Sequence, residues 1–164
     1  LPFTLCHGLP IHLCLISLVF WQCGSYGNGC IGEICGSGLV NKDIRVSVIL
    51  TSYNNPTYVE RAIGSVINQT YKNVQLIIAD DNSSDEKVIE IISSYKDKEN
   101  VIYYNSEVLE CNRLKTARYA TQINSAVKFF ADGDYLLYLA DDDYYYPQMI
   151  EKMVEYVSET NHDV

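Results

Sequence analysis

The sequence predicts an α/β fold, an open and mostly parallel sheet with flanking helices. Three observations lead there. Short apolar runs alternate four times with helical patterns between residues 44 and 164, the signature of strand–helix repeats. The connections are short, as parallel crossovers in one sheet require. Polar clusters follow three of the apolar runs: Thr51-Ser52-Tyr53-Asn54, Asp80-Asp81-Asn82 and Asp141-Asp142-Asp143. In such sheets ligands bind beyond the strand carboxyl ends, where the strand order reverses. The three clusters should therefore converge on one rim.

Val46-Ser47-Val48-Ile49-Leu50 reads as the first strand, β-branched and apolar enough to be buried on both faces. Asn54-Asn55-Pro56 breaks it, with Asn55 expected as the cap and Pro56 as the first position of a helix running to about Gln69. Val59, Ile63, Val66 and Ile67 give that helix its apolar side. Val74 to Ala79 is a second buried strand. Ser83 with Glu86 three residues on reads as a capping box for a helix over 84–96. Val101 to Tyr104 is a third strand. A helix over 115–131 carries Ala120, Ile123, Val127 and Phe130 as its stripe and is expected to stop at Gly133. Tyr135 to Leu139 is a fourth strand, and Pro147 is expected to open the last helix.

Residues 1–43 do not share this pattern. Residues 1–40 carry one charged side chain, Glu33, and five of the six cysteines, whereas 44–164 hold 11 of the 12 Lys+Arg, 19 of the 21 Asp+Glu and only Cys111. The apolar run from Ile11 to Trp21 is shorter than the roughly 20 residues a bilayer needs. No Lys or Arg precedes it, as one would in a signal peptide. The cysteine gaps contain no Cys-x-x-Cys pair, which disfavours zinc. No methionine occurs before Met149, and residues 1–39 are expected to be translated upstream sequence rather than a targeting segment. The expected organisation is an N-terminal extension over 1–43 and one incomplete domain over 44–164.

A net charge of −9 and a pI near 4.7 exclude a basic nucleic-acid groove. An acidic protein that handles phosphorylated ligands needs a cation between itself and them. Three consecutive carboxylates supply a reason for one, since like charges at about 4 Å repel by roughly 4 kcal/mol at an effective dielectric near 20. Mg²⁺ or Mn²⁺ would remove that cost, keep positions open for substrate phosphates and neutralise a diphosphate leaving group. The plainer alternative is a solvated acidic turn leading into the next helix. Asp80-Asp81 is either an Asx turn or a carboxylate that accepts a base N–H. Tyr53 is either a loop tyrosine or a stacking surface. Arg113 and Arg118 are either helix-surface charges or a planar fork for phosphate.

These residues carry a resemblance. Val46-Ser47-Val48-Ile49-Leu50-Thr51-Ser52-Tyr53-Asn54 resembles the opening strand of family 2 glycosyltransferases of the GT-A fold, with its Rossmann-like nucleotide-binding half. The match continues through 62–71, Ile78-Ala79-Asp80-Asp81-Asn82-Ser83-Ser84-Asp85, Gly133-Asp134-Tyr135 and Ala140-Asp141-Asp142-Asp143 before Pro147. Within the family, the stretch from Lys115 to Asn124 is similar to spore-coat polysaccharide transferases. The resemblance implies a nucleotide site of Thr51, Tyr53, Asp81, Arg113, Arg118 and Asp141, with Tyr53 stacked on uracil, Asp81 at the base edge and Asp141 at the ribose. It implies a metal site at Asp142 and Asp143, with Asp142 as the ligand and Asp143 supporting the loop. The implied reaction is inverting, metal-dependent transfer from a UDP-sugar to a saccharide or other hydroxyl acceptor in polysaccharide or cell-envelope synthesis. The implied place is the cytoplasm, with membrane association compatible but not encoded. Two positions depart from the family pattern: Ala140 stands where the acidic motif usually begins, and Tyr119 replaces a common Asn. The acceptor half and the general base would lie after Val164. The fragment is thus expected to bind nucleotide and to transfer sugar poorly or not at all.

Three other readings compete. A receiver-type signalling module would want one Asp at a central strand end and a later Lys, and has no use for Tyr53. A non-catalytic nucleotide-binding remnant cannot be separated from a truncated enzyme by sequence. A dinucleotide site would need a Gly-x-Gly-x-x-Gly after the first strand, and none is present.

Overall fold

A computed structural model describes residues 44–106 and 117–160. Strand–helix units repeat four times: β1 (Val46–Ser52), α1 (Val59–Ile67), β2 (Val74–Asp80), α2 (Glu86–Tyr95), β3 (Val101–Asn105), α3 (Arg118–Phe129), β4 (Tyr135–Ala140) and α4 (Met149–Thr160). The strands form one parallel sheet in the order β3-β2-β1-β4. The expected architecture is thus the observed one.

Topology follows from handedness. The chain steps from β1 to β2 to β3 in one direction and then returns past β1 to β4. Right-handed crossovers require the returning helix to lie on the opposite face. Side-chain alternation shows that it does. Val48, Leu50, Ile78, Leu137 and Leu139 face Val59, Ala62, Ile63 and Val66 of α1, Val88 and Ile92 of α2, and Ile150 of α4. Ile49, Ile77 and Ala79 face Ala126 of α3, with Ile123, Val127 and Phe130 packed alongside. β1 is the buried centre, with Val48, Ile49 and Leu50 fully shielded. Its apolar character on both faces is what a two-layered parallel sheet demands. No helix among the described residues is long and apolar enough to cross a membrane.

Four boundaries differ from expectation, and at α1 and α2 the expected cap is committed to a long-range or turn partner. α1 starts at Val59 behind Tyr58, which makes no side-chain cap bond, rather than at Asn55-Pro56. The Asn55 amide instead reaches across to Asp141 (3.1 Å). α2 is capped by Asp85, whose carboxylate accepts from the Lys87 and Val88 amides, not by Ser83. Ser83 is held in the preceding turn, where its amide and hydroxyl both donate to Asp80 (2.8 and 2.6 Å). α4 starts at Met149 rather than Pro147, whose carbonyl accepts from the Thr70 amide. α3 ends at Phe129 with Phe130 as its cap, so Gly133 does not stop it.

Gly133 serves a close approach instead. Its amide donates to the buried Ser47 hydroxyl (2.9 Å), which itself donates to Gln75 Oε1 (2.6 Å). A Cβ on Gly133 would lie 2.5 Å from the Ser47 backbone nitrogen. Gly133→Ala must therefore push β4 away from β1, at a cost of about 1–3 kcal/mol. Urea unfolding of the variant should show the lower midpoint, and an unchanged midpoint would contradict this packing.

Candidate functional site

Strand order reverses between β1 and β4, whose carboxyl ends lie side by side. Thr51 lies in register between Ala79 of β2 and Ala140 of β4. Thr51 and Ala140 are partly exposed on the α3 face of the rim, while Ala79 is fully buried. Tyr53 lies two residues beyond Thr51 and is 38% exposed. Its backbone N–H donates to Asp141 Oδ2 (3.0 Å) while Asn55 Nδ2 donates to Asp141 Oδ1 (3.1 Å). Asp141 thus ties the loop after β1 to the loop after β4.

Asn54 ties the loop after β1 to the one after β2. It holds φ of 45°, and its side-chain oxygen accepts from the Ser84 and Asp85 amides (2.8 and 2.9 Å). Asn and Asp tolerate this left-handed region better than other non-glycine residues. Asp80 resolves as the Asx turn already considered, facing Ser83.

Asp81 points the other way, toward α3. Arg118 donates to it through Nε (3.0 Å) and Nη2 (2.5 Å), with Ser106 Oγ (2.9 Å) and Gln122 Nε2 (2.7 Å) converging on the same Oδ1. The Asp81 carboxylate is 7% exposed and the Arg118 side chain 15%. Burial pushes the Asp81 pKa up, but the bonds from Arg118, Ser106 and Gln122 together with the Arg118 charge outweigh it and hold the group below the ordinary carboxylate value. Arg118 and Asp81, singled out separately from sequence, form one unit. Gln122 could have been found as the residue one helical turn beyond Arg118; nothing in the sequence signals Ser106.

Asp142 and Asp143 carry exposed carboxylates, the Asp143 amide closing a tight turn on the Ala140 carbonyl (3.2 Å). Among the described residues no group of three or more His, Cys, Asp or Glu is placed to hold a metal ion. The donor set therefore makes no protein-only cage. It does fit a hard ion shared with substrate phosphates, which takes one or two carboxylates and completes its shell with water and phosphate oxygens. Arg113 lies outside the described residues, as do all six cysteines.

The profile of the family described as Glycosyl transferase family 2 matches residues 47–164. The chain belongs to that family. Protein CgeD of Bacillus subtilis is 50% identical over 111 residues, covering 68% of this chain and 26% of CgeD. An uncharacterised glycosyltransferase of Rickettsia conorii is 35% identical over 111 residues, 67% of this chain and 17% of the relative. The chain thus spans about a quarter or less of these two relatives. Among solved structures, S. aureus TarS 1–349 superposes with a TM-score of 0.62 at 23% identity, over 73% of this chain and 34% of TarS. The same protein with UDP-GlcNAc gives 0.59 at 20%, over 73% and 33%. The mannosyltransferase PcManGT of Pyrobaculum calidifontis, with GDP-Man and Mn²⁺, gives 0.56 at 18%, over 70% and 32%. These likenesses establish the fold as that of GT-A glycosyltransferases.

The depressed Asp81 pKa has a stability consequence. Its contribution is fully present above the unfolded carboxylate value near 4 and is lost as pH falls through the lower folded value. Arg118→Met leaves Asp81 buried without its cation, which costs about 3 kcal/mol at neutral pH. It also raises the Asp81 pKa, so less stability is lost as pH falls through the carboxylate range and the gap between variant and parent narrows toward pH 3. Urea midpoints measured from pH 3 to 7 check both effects; a variant with the parent's acid limb would contradict the pairing.

Proposed function

We propose that residues 44–164 form the donor-binding part of a glycosyltransferase that transfers a sugar from a UDP-sugar to a hydroxyl acceptor with inversion. The observation that carries the reading is the meeting of Tyr53, Asp141 and the exposed Asp142 at the point where strand order reverses. Dinucleotides and nucleotides bind at such points in open α/β sheets. Membership in glycosyl transferase family 2 narrows the ligand to a nucleotide sugar. The UDP-GlcNAc bound to TarS, of like fold, favours uracil as the base.

In this reading the exposed Tyr53 side chain stacks on the base, and the partly exposed Thr51 and Ala140 let the flat ring approach the backbone. The Asp81–Arg118 unit borders the base edge, with Asp81 as acceptor. Exchanging some of its present bonds for a base N–H would leave Arg118 to face the phosphates, and Arg113 is assigned to the same role. Asp141 keeps the base-side and phosphate-side loops at a fixed separation and offers its remaining lone pairs to the ribose. Asp142, with Asp143 beside it, would hold Mg²⁺ or Mn²⁺, which when bound neutralises the charge that develops on the departing diphosphate. Inversion also needs a base to take the proton of the acceptor hydroxyl. We assign that base, the acceptor subsite and turnover itself to a longer chain, since the matched region is 26% and 17% of the length of the two relatives. Nucleotide sugars are made in the cytoplasm, and the active protein is assigned there, in polysaccharide or cell-envelope synthesis.

Calorimetric titration of UDP tests this directly. Binding in Mn²⁺ should weaken at least about tenfold with EDTA or in Asp142→Ala. A folded protein that ignores UDP under both conditions would overturn the donor assignment.

A further inference from the structure

The loop after β4 carries the acidic run, and α1 reads its backbone through one polar stripe. Arg61, Ser65 and Gln69 recur every four residues, so they share one side of the helix and its C-terminal extension. Arg61 Nη2 donates to the Asp142 carbonyl (2.8 Å). Ser65 Oγ accepts from the Tyr145 amide (3.1 Å). Gln69 donates to the Tyr146 carbonyl (2.8 Å) and accepts from the Ile150 amide (3.1 Å). The neighbouring Thr70 amide donates to the Pro147 carbonyl (2.9 Å).

Burial differs along the stripe. Gln69 is 1% exposed, so its amide is a fixed internal post whose loss would strand buried groups. Arg61 lies at the exposed end, where a long side chain would ordinarily be mobile. It is held by two aromatic faces, its guanidinium carbon 5.1 Å from the Tyr58 ring centroid and 4.7 Å from that of Tyr144. Such stacking restrains the side chain as well as attracting it. The Arg61 bond therefore ends on the backbone of Asp142, the principal residue assigned to metal, and on its carbonyl rather than its carboxylate.

We propose that Arg61, anchored by Tyr58 and Tyr144, is a positioning residue that sets the direction of the Asp142 carboxylate by fixing its main chain. Ser65 and Gln69 hold the rest of the same loop. This rests on the donor-site reading for its ligand consequence and on the loop geometry alone for its structural consequence. An ion shared between one carboxylate and a diphosphate is sensitive to where that carboxylate points, because the partners of a ligating residue tune its affinity.

The test uses the 164-residue chain with UDP as probe, in Mn²⁺ and in EDTA, together with amide exchange. Arg61→Met should weaken UDP binding in Mn²⁺ about tenfold while leaving the EDTA affinity unchanged. The Tyr145 amide should exchange about tenfold faster, with β1 and α1 amides unaffected. Arg61→Lys keeps the charge but loses the flat fork, so it should restore the metal-linked affinity only in part. Full restoration by lysine, or equal loss with and without Mn²⁺, would overturn the positioning role. If the parent chain binds no UDP, the donor-site reading fails by itself. Amide exchange then decides this inference: Tyr145 exchange unchanged in Arg61→Met, with Ser65→Ala as the control that accelerates it, would overturn it.

Discussion

Tyr53 and Asp141 follow the two strands between which the sheet reverses its order, and one carboxylate joins them. The β1–β4 pairing brings their carboxyl ends side by side but does not fix the loops that continue from them. Asp141 does so, accepting the Tyr53 amide on one oxygen and the Asn55 amide on the other. Each bond is charge-assisted and stronger than a neutral pair. Remove that carboxylate and the exposed aromatic ring, the acidic run and the start of α1 lose their common reference. Everything proposed for the site depends on this bridge.

Around the bridge, each loop is tied to a neighbour by a different chemistry. Asn54 links the loop after β1 to the loop after β2 through a left-handed backbone and a side-chain carbonyl. Asp81 links the end of β2 to α3 through an ion pair with a low exposed fraction. Arg61, Ser65 and Gln69 link the loop after β4 to α1. A rim built this way is preorganised on the strand side. Its outward-facing groups, Tyr53, Asp142 and Asp143, are the ones that solvent already reaches.

The architecture was legible because parallel strands and amphipathic helices differ in period and because each strand here is apolar on both faces. The helix starts were less so. Asn55 and Ser83 have the right chemistry for caps, but a cap is a local solution and both side chains serve long-range partners instead, Asp141 and Asp80. Gly133 reads as a helix stop in sequence because glycine's two common uses, turning the chain and admitting a close neighbour, look the same in one dimension. At the site, Thr51, Tyr53, Asp81 and the acidic run were visible as polar residues after apolar strands, and Arg118 as a cation near the start of a helix. That Asp81 and Arg118 are partners was not, since 37 residues separate them. The role of Arg61 had no sequence signal, as its partner is a backbone carbonyl that any residue could supply.

The most direct measurement is the amide chemical-shift change of the ¹⁵N-labelled chain on addition of UDP with Mg²⁺. The account predicts changes concentrated at Thr51, Tyr53, Asp81 and Asp141 to Asp143, on the rim where strand order reverses. Changes concentrated instead at the opposite end of the sheet, around Lys72, Asn100 and Val101, would contradict it.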